Sequence, residues 1–372
     1  MIKHKRLNGA GVAATNGRHR GRDLSPIRPR KAILNIALCG LGRAAIGLLN
    51  REVLEMKEVR IVGSFDLIHD RAQSLANRLG CRVYDSYAQL LADPEVELVV
   101  VATRSSEHAP MAIQALKAGK HVLVEKPMGV NLRQVDRLLK VAKQSQGRLF
   151  VRHNRRFEPA FLQVKDILAS KKLGDVYQIA LRVHKYQKRN DWQTLKRFGG
   201  GQLLNWGPHV IDWGLQLLDG SVADMWSDLK CVAAAGDAED TIKLLLRGES
   251  GRVIDIEISD AVALAQPGWV VYGSRGTLAI HGTTCTMRYL NPKLKVKVKA
   301  DAGTPSVTGG YSGPAKLTWI EEKFEVSPKK STKYFHELYK TLKHGAEFPV
   351  SLEQARENLR IIELARRGTK FA

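Results

Sequence analysis

Residues 33–45 read ILNIALCGLGRAA and join a short apolar run to a glycine-rich turn. The run is typical of a strand buried in a parallel sheet, and the turn has the pattern GxGxxA. The first glycine permits a tight turn, the second lets a pyrophosphate approach the backbone, and the small third residue lets the next helix pack on the strand. The stretch therefore predicts a dinucleotide site contacted by residues of the turn: Gly40, Gly42, Arg43, Ala44 and Ala45.

A second apolar run at residues 59–65 ends at Asp66. A carboxylate at that point accepts hydrogen bonds from an adenosine ribose and repels a 2′-phosphate. No basic residue directly follows Asp66, because Leu67 and Ile68 come next, so we expect NAD rather than NADP. The alternative is that Asp66 only caps a glycine turn.

Strand-like and helix-like segments alternate up to about residue 151, which predicts βαβ units in a doubly wound parallel sheet. The later strand-like segments lack regular helices between them, so a mostly antiparallel sheet should follow. These segments are 176–183, 241–246, 253–258, 269–272 and 277–281. The predicted organisation is a basic tail over 1–31, a Rossmann domain over 32–152, an α+β domain over 153–350 and a C-terminal helix over 351–372 that packs back on the Rossmann domain.

Composition narrows the class of protein. Of 372 residues 44% are hydrophobic, and the formal net charge is 59 − 37 = +22. No run of 18 or more apolar residues occurs, so we expect no membrane span. The four cysteines lie far apart without CxxC spacing, which predicts no metal site and a reducing, cytoplasmic location.

The first 31 residues carry much of the positive charge, with nine Lys or Arg and one acid. A basic segment of this kind suits an arm that binds nucleic acid or a membrane surface. It also suits a disordered extension or an upstream start site. We expect no nucleic-acid partner, because no aromatic residue is interleaved with the basic ones.

Two further segments carry a family resemblance. Residues 122–127 read VLVEKP, and residues 199–212 read GGGQLLNWGPHVID. With Thr103, His108 and the Arg155-Arg156-Phe157 triplet, they resemble the Gfo/Idh/MocA family of oxidoreductases over roughly residues 32–367. The resemblance implies a Rossmann domain, an open antiparallel sheet through which homodimers or homotetramers pack, and a Lys–Pro bond that is often cis. It also implies cofactor contacts from Thr103, His108, Glu125 and Lys126, with a structural role as the alternative for His108 and for Glu125.

Lys126 and His209 are the predicted catalytic residues. Lys126 follows a parallel strand at the sheet edge where ligands bind, and a lowered pKa would suit it to take a hydroxyl proton. His209 shares a polar helical stripe with Asn205 and Asp212, in a helix that should begin near Asn205 because Pro208 is tolerated only in the first turn. The positive end of that helix would disfavour imidazolium.

One position departs from the family pattern. Many family dehydrogenases have aspartate where this chain has Asn205, and an amide orients a hydroxyl without carrying a proton. The segment before the triple glycine mixes rings, charges and amides, which suits a polyhydroxylated substrate or an ordinary polar loop. The predicted substrate residues are Asn205, Arg156, Tyr186, Arg189, Asp191 and Trp192, with bracing of the domain junction as the alternative for Arg156.

The expected function is NAD-dependent hydride transfer at a carbinol or ketone of a sugar, glycoside or sugar derivative. One alternative is a glycosidase-like enzyme that retains NAD and uses transient oxidation. The other is a non-catalytic dinucleotide-binding regulator. Asn205 is compatible with this alternative, because its amide cannot carry a proton. Lys126 and His209 favour an enzyme.

Overall fold

A computed structural model describes residues 32–295, 317–328 and 333–372. The predicted basic tail lies outside these residues. None of the helices in the described part of the chain has the length and apolar character that crossing a bilayer requires.

The first sheet has six parallel strands in the order β3-β2-β1-β4-β5-β6. Its strands are β1 (Leu34–Cys39), β2 (Val59–Phe65), β3 (Arg82–Val83), β4 (Leu98–Val101), β5 (His121–Val124) and β6 (Leu149–Val151). This order is that of a doubly wound dinucleotide-binding sheet. The predicted fold class is confirmed for this half.

Helices cover both faces of this sheet, and for that reason its central strands are continuous apolar runs. All four residues of β4 are buried. The connecting helices are α1 (Arg43–Leu48), α2 (His69–Leu79), α3 (Tyr87–Ala92), α4 (Ser105–Lys117) and α5 (Leu132–Gln144). A π-helical segment, Leu49–Val53, continues α1 directly.

The second sheet has eight strands in the order β14-β13-β12-β11-β7-β10-β9-β8, and only β7 and β10 run parallel. Its strands are β7 (Val176–His184), β8 (Val222–Lys230), β9 (Thr241–Gly248), β10 (Val253–Ser259), β11 (Trp269–Gly273), β12 (Gly276–His281), β13 (Thr284–Leu290) and β14 (Trp319–Glu325). The mostly antiparallel sheet is therefore confirmed, with three strands that the sequence did not predict: β8, β13 and β14.

The remaining helices are α6 (Pro159–Ala169), α7 (Gln202–Asn205), α8 (Gly207–Leu217), α9 (Tyr334–His344) and α10 (Leu352–Arg366). Helix α8 packs on the inner face of the second sheet, where a Cβ at Gly214 would come within 2.9 Å of Ile254 Cγ2. Helix α10 contacts α8 and β8 on one side and α5 and β6 on the other. It therefore joins the two sheets close to the helix that carries His209.

Candidate active site

The glycine-rich turn lies where β1 ends and α1 begins. Gly40 has φ +82°, and a Cβ there would come within 2.8 Å of the Ala102 carbonyl group, so only glycine fits. A Cβ at Gly42 would meet no atom within 4 Å. The backbone at Gly42 is thus open to a ligand, in agreement with a turn through which a pyrophosphate approaches.

Asp66 lies beside this turn at the end of β2. Its Oδ2 accepts a hydrogen bond from the Leu41 N–H at 2.6 Å, and its Oδ1 accepts one from the Ile68 N–H at 2.8 Å. The carboxylate therefore caps the turn, and each oxygen retains capacity for a second hydrogen bond. The side chain stands at the sheet edge where a ribose would be held.

A cavity lies between the turn, the ends of β4 and β5, and residues 192–205. It brings together many of the predicted site residues: Ala44, Thr103, His108, Glu125, Lys126, Trp192 and Asn205.

Lys126 is the cationic side chain in the cavity wall. The Lys126–Pro127 bond is cis, and Lys126 Nζ donates a hydrogen bond to the Asn205 carbonyl oxygen at 2.9 Å. Burial lowers the pKa of Lys126 to about 8, with Glu125 opposing and Arg155, Arg152 and Arg43 adding to the decrease. A substantial fraction of Lys126 is therefore neutral near physiological pH, as a proton acceptor requires.

His209 is buried near Lys126 but is not part of the cavity wall. Its Nδ1 has no hydrogen-bond partner within the described residues. Burial, followed by the charge of Lys126, holds the pKa of His209 well below its usual value. The predicted neutral imidazole therefore agrees with the structure, but burial is the main cause.

The helix that carries His209 has Pro208 in its first turn, as predicted, and begins two residues after the predicted start near Asn205. Asn205 ends the short helix α7, and α8 begins at Gly207, which places His209 at its third position. The backbone turns between the two helices at Trp206, ahead of Pro208. Asn205 is thus held in a separate turn, and its carbonyl group faces Lys126.

Gln193 is a wall residue that the sequence did not reveal. Its Oε1 accepts a hydrogen bond from Arg43 Nη2 at 3.2 Å, and its Nε2 donates to Asn205 Oδ1 at 3.4 Å. It therefore links the glycine-rich turn to the segment that holds Lys126. A single glutamine in a polar loop carries no sequence pattern that would have identified it.

The loop before Gln193 places the other predicted substrate residues differently. Asp191 caps the 3-10 turn Trp192–Thr194 through the Gln193 N–H, and Arg189 pairs with Asp191 at 2.7 Å. Arg189 also donates to Gln193 Oε1, so it borders the cavity indirectly. Tyr186 is 62% exposed and is not in the wall.

The structure places Arg156 away from the predicted substrate contact. Its guanidinium forms a bidentate pair with Asp212 at 2.6 and 2.7 Å and also donates to Gln354 Oε1 and the Pro349 carbonyl oxygen. Both Arg156 and Asp212 are buried. The sequence does not reveal that the Arg156 guanidinium is paired with Asp212. Of the two interpretations, bracing of the domain junction is the one that fits the structure.

His108 connects two loops of the wall. Its Nδ1 lies 2.7 Å from the Pro127 carbonyl oxygen and its Nε2 lies 3.2 Å from the Thr103 carbonyl oxygen. Burial lowers the pKa of His108. His108 therefore holds the Lys126–Pro127 turn against the end of β4.

The residues at the ends of the parallel strands suit an organic cofactor. Within residues 32–295, 317–328 and 333–372, no three His, Cys, Asp or Glu side chains are arranged to hold a metal ion. The open backbone at Gly42, the Asp66 carboxylate and the cavity beside Lys126 all lie at the carboxyl ends of the parallel strands, where such sheets bind dinucleotides.

Comparisons with known proteins agree with this geometry. Residues 34–153 match the family model described as oxidoreductase family, NAD-binding Rossmann fold, and residues 161–279 match the GFO/IDH/MocA C-terminal domain. The uncharacterized oxidoreductase YdgJ of Escherichia coli is 30% identical over 76% of this chain and 81% of its own length. Myo-inositol 2-dehydrogenase of Thermotoga maritima is 29% identical over 66% of this chain and 74% of its own.

A solved structure extends the comparison to the fold. The NAD-binding protein from Listeria innocua superimposes with a TM-score of 0.79 at 25% identity, covering 91% of this chain and 98% of that chain. Both sheets are therefore shared with a structure that is described as binding NAD.

Replacing Arg156 tests its bracing role. Arg156→Met leaves the buried Asp212 carboxylate unpaired and should lower the free energy of unfolding by about 3–5 kcal/mol, measured by urea denaturation. The adjacent Arg155→Met is the control, since Arg155 pairs with the partly exposed Glu158 and should cost about 1 kcal/mol. Unchanged stability in Arg156→Met together with weakened substrate binding would restore the original prediction.

Proposed function

Because the chain belongs to the Gfo/Idh/MocA oxidoreductase family, we propose that it is an NAD-dependent dehydrogenase acting on a secondary alcohol of a sugar-like compound. The observation that carries the proposal is Lys126, a lysine of lowered pKa in the wall of a cavity that adjoins the dinucleotide-binding turn. A solvated surface lysine would stay charged at neutral pH and would not lie beside a cavity at the glycine-rich turn.

The chain's residues account for the proton. In the oxidising direction the substrate carbon loses a hydride with its electron pair, the O–H proton passes to neutral Lys126 Nζ, and a C=O bond forms. When bound, the nicotinamide dinucleotide supplies the acceptor for the hydride. The Asn205 carbonyl oxygen aims Nζ, and neutral His209 is a second hydrogen-bond acceptor near Lys126.

A polyhydroxylated substrate suits the cavity wall. Trp192 offers a ring face, while the side-chain amides of Gln193 and Asn205 offer paired donors and acceptors for neighbouring hydroxyl groups. The resemblance to a protein named myo-inositol 2-dehydrogenase points to the same substrate class. Asn205 would orient a hydroxyl, leaving Lys126 to take the proton.

NAD is the proposed coenzyme, since the Asp66 carboxylate stands at the end of β2 and would repel a 2′-phosphate. Arg71 Nη1 lies 4.0 Å from Asp66 Oδ1, so its charge is partly engaged by that carboxylate. The preference for NAD therefore depends on the charge of Asp66.

Lys126→Met tests the proposed proton acceptor. We expect turnover on sugars and cyclic polyols to fall by about 10²–10⁴-fold while NADH binding stays near that of wild type, as measured by absorbance and by fluorescence titration. Lys120→Met is the matched control. Lys120 Nζ likewise donates to a backbone carbonyl, that of Asp93, at the opposite end of β5.

Other outcomes of this assay identify the alternatives. Near-normal turnover in Lys126→Met would remove Lys126 from the mechanism. Release of a sugar from a glycoside without net NADH formation would instead identify a glycosidase-like enzyme. Tight NAD binding without turnover on any compound in the wild type would favour a regulator, the alternative that Asn205 suggests.

Asp66 variants test coenzyme selection. Asp66→Asn keeps an oxygen for the Leu41 N–H but removes the charge, whereas Asp66→Ala removes both. Both variants should weaken NADH binding by about tenfold or more, measured by fluorescence titration. Both should also lower the ratio of the affinity for NADH to the affinity for NADPH. An unchanged NADH to NADPH affinity ratio in Asp66→Asn would contradict the assignment.

A homo-oligomer that packs through the second sheet is also proposed. Inward-facing Ile254 and Ile256 alternate with Asp255 on β10, and the face opposite α8 exposes Trp226 (54%) and Trp319 (40%). Light scattering should give a multiple of 41.3 kDa for the full chain and a smaller mass for Trp226→Glu. Leu264→Glu, at an exposed loop residue outside the sheet, should not change the mass, and a monomeric wild type would refute the proposal.

A further inference from the structure

A row of alternating charges lies behind the cavity wall. Arg152 follows β6, and its Nη1 donates to Glu125 Oε1 at 2.7 Å while its Nη2 donates to Glu52 Oε1 at 2.5 Å. The side chains of Glu52, Arg152 and Glu125 are 12%, 6% and 5% exposed. Since Glu125 directly precedes Lys126, the order of charges is negative, positive, negative, positive.

Glu52 is fixed from two directions. It lies on the π-helical segment Leu49–Val53, which continues the helix of the glycine-rich turn. Its second oxygen, Oε2, accepts the Phe335 N–H at 3.2 Å at the start of α9. The Tyr334 hydroxyl donates to the Val151 carbonyl oxygen at 2.7 Å, directly before Arg152. The row of charges therefore ties β6 to α9 and to the helix that follows the glycine-rich turn.

Among the three charged residues that precede Lys126 in this row, only Glu125 reaches the cavity. Glu125 is in the wall, whereas Arg152 and Glu52 are not. Burial alone would raise the pKa of Glu125, but the charges of Arg152 and Lys126 outweigh it and hold the pKa below its usual value. An unpaired carboxylate in this position would be strongly disfavoured.

We propose that Arg152 and Glu52 are positioning residues for Lys126: Arg152 holds the Glu125 carboxylate ionised and fixed beside Lys126, and Glu52 divides the charge of Arg152 between two carboxylates. Neither residue touches the cavity: Arg152 acts on Lys126 through Glu125 and through its own charge, and Glu52 acts through Arg152. The inference rests on the proposed function in that Lys126 is the group that moves a proton.

The direction of the effect follows from the charges around Lys126. Removing the Glu52 charge leaves an extra positive charge in the row and should disfavour protonated Lys126. Removing the Arg152 and Glu52 charges together leaves Glu125 to pair with Lys126 alone, which should favour the protonated form. The titratable groups that face Lys126 from the surrounding elements are Arg43, His108, Glu125, Arg152, His153, Arg155 and His209.

The test measures the pKa of Lys126 directly and needs no substrate. Competitive acetylation of the full chain with acetic anhydride across a pH series, followed by peptide mass spectrometry, gives the titration midpoint of Lys126, expected at about 8 in the wild type. We expect Glu52→Gln to lower this midpoint and the double variant Glu52→Gln with Arg152→Met to raise it, each by about half a unit or more.

Lys343→Met is the matched control, because it breaks a partly buried pair with Glu97 beyond the opposite end of the strands of the same sheet. Its Lys126 midpoint should equal that of the wild type. Glu52→Gln keeps the shape of the side chain and one acceptor oxygen, for either Arg152 or the Phe335 N–H, so it tests the inference even where the double variant does not fold. An unchanged midpoint in folded Glu52→Gln, judged by circular dichroism, overturns the inference.

The outcome is separable from the proposed function. A wild type without dehydrogenase activity on any polyol would refute the function, while the Lys126 titration would still report on Arg152 and Glu52. Conversely, the enzyme could be active while the titration midpoint of Lys126 is the same in the wild type, in Glu52→Gln and in the double variant. That result would refute only the positioning role.

Discussion

The partial burial of the Lys126 ammonium group is the constraint on which the site depends. Removing a charged amine from water favours its neutral form, and the nearby guanidinium groups of Arg43, Arg152 and Arg155 act in the same direction. Glu125 and the Asn205 carbonyl oxygen oppose this and keep the group in one place. The balance leaves the pKa of Lys126 at about 8, so that Lys126 can exchange a proton near physiological pH. The ammonium group of an exposed lysine would stay charged at that pH.

The two sheets supply the opposite walls of this environment. The parallel sheet contributes the glycine-rich turn, Asp66 and the Glu-Lys-Pro turn at the carboxyl ends of its strands. The segment leading into α8, which packs on the second sheet, contributes Gln193 and Asn205. Buried polar pairs hold the walls together: Arg156 with Asp212, and Asn358 with the Pro208 carbonyl oxygen. Arg156, Asp212 and Asn358, which are not in the cavity wall, thus help to hold its two sides in place.

Much of the first sheet was predictable from sequence, because buried parallel strands are continuous apolar runs, and β2 coincides with the apolar run at residues 59–65. Edge strands such as β3 and β14 are short or strongly polar and lack that signal. Lys126, Asp66 and Asn205 were predicted because motifs fix their place at a strand end or turn. Gln193 was not predicted, and for Arg156 bracing of the domain junction was only the alternative to a substrate contact, because their partners come from distant parts of the chain that only the folded structure brings together.

Membership of the family places the chain among oxidoreductases. The arrangement around Lys126 supplies a proton acceptor that an oxidoreductase acting on an alcohol would need. The most direct measurement is a crystal structure of the full chain grown with NAD⁺. The account predicts the adenosine ribose on the Asp66 carboxylate and the nicotinamide ring in the cavity beside Lys126 Nζ. A glycine-rich turn without bound dinucleotide at saturating NAD⁺, or a nicotinamide ring held away from Lys126, would contradict it.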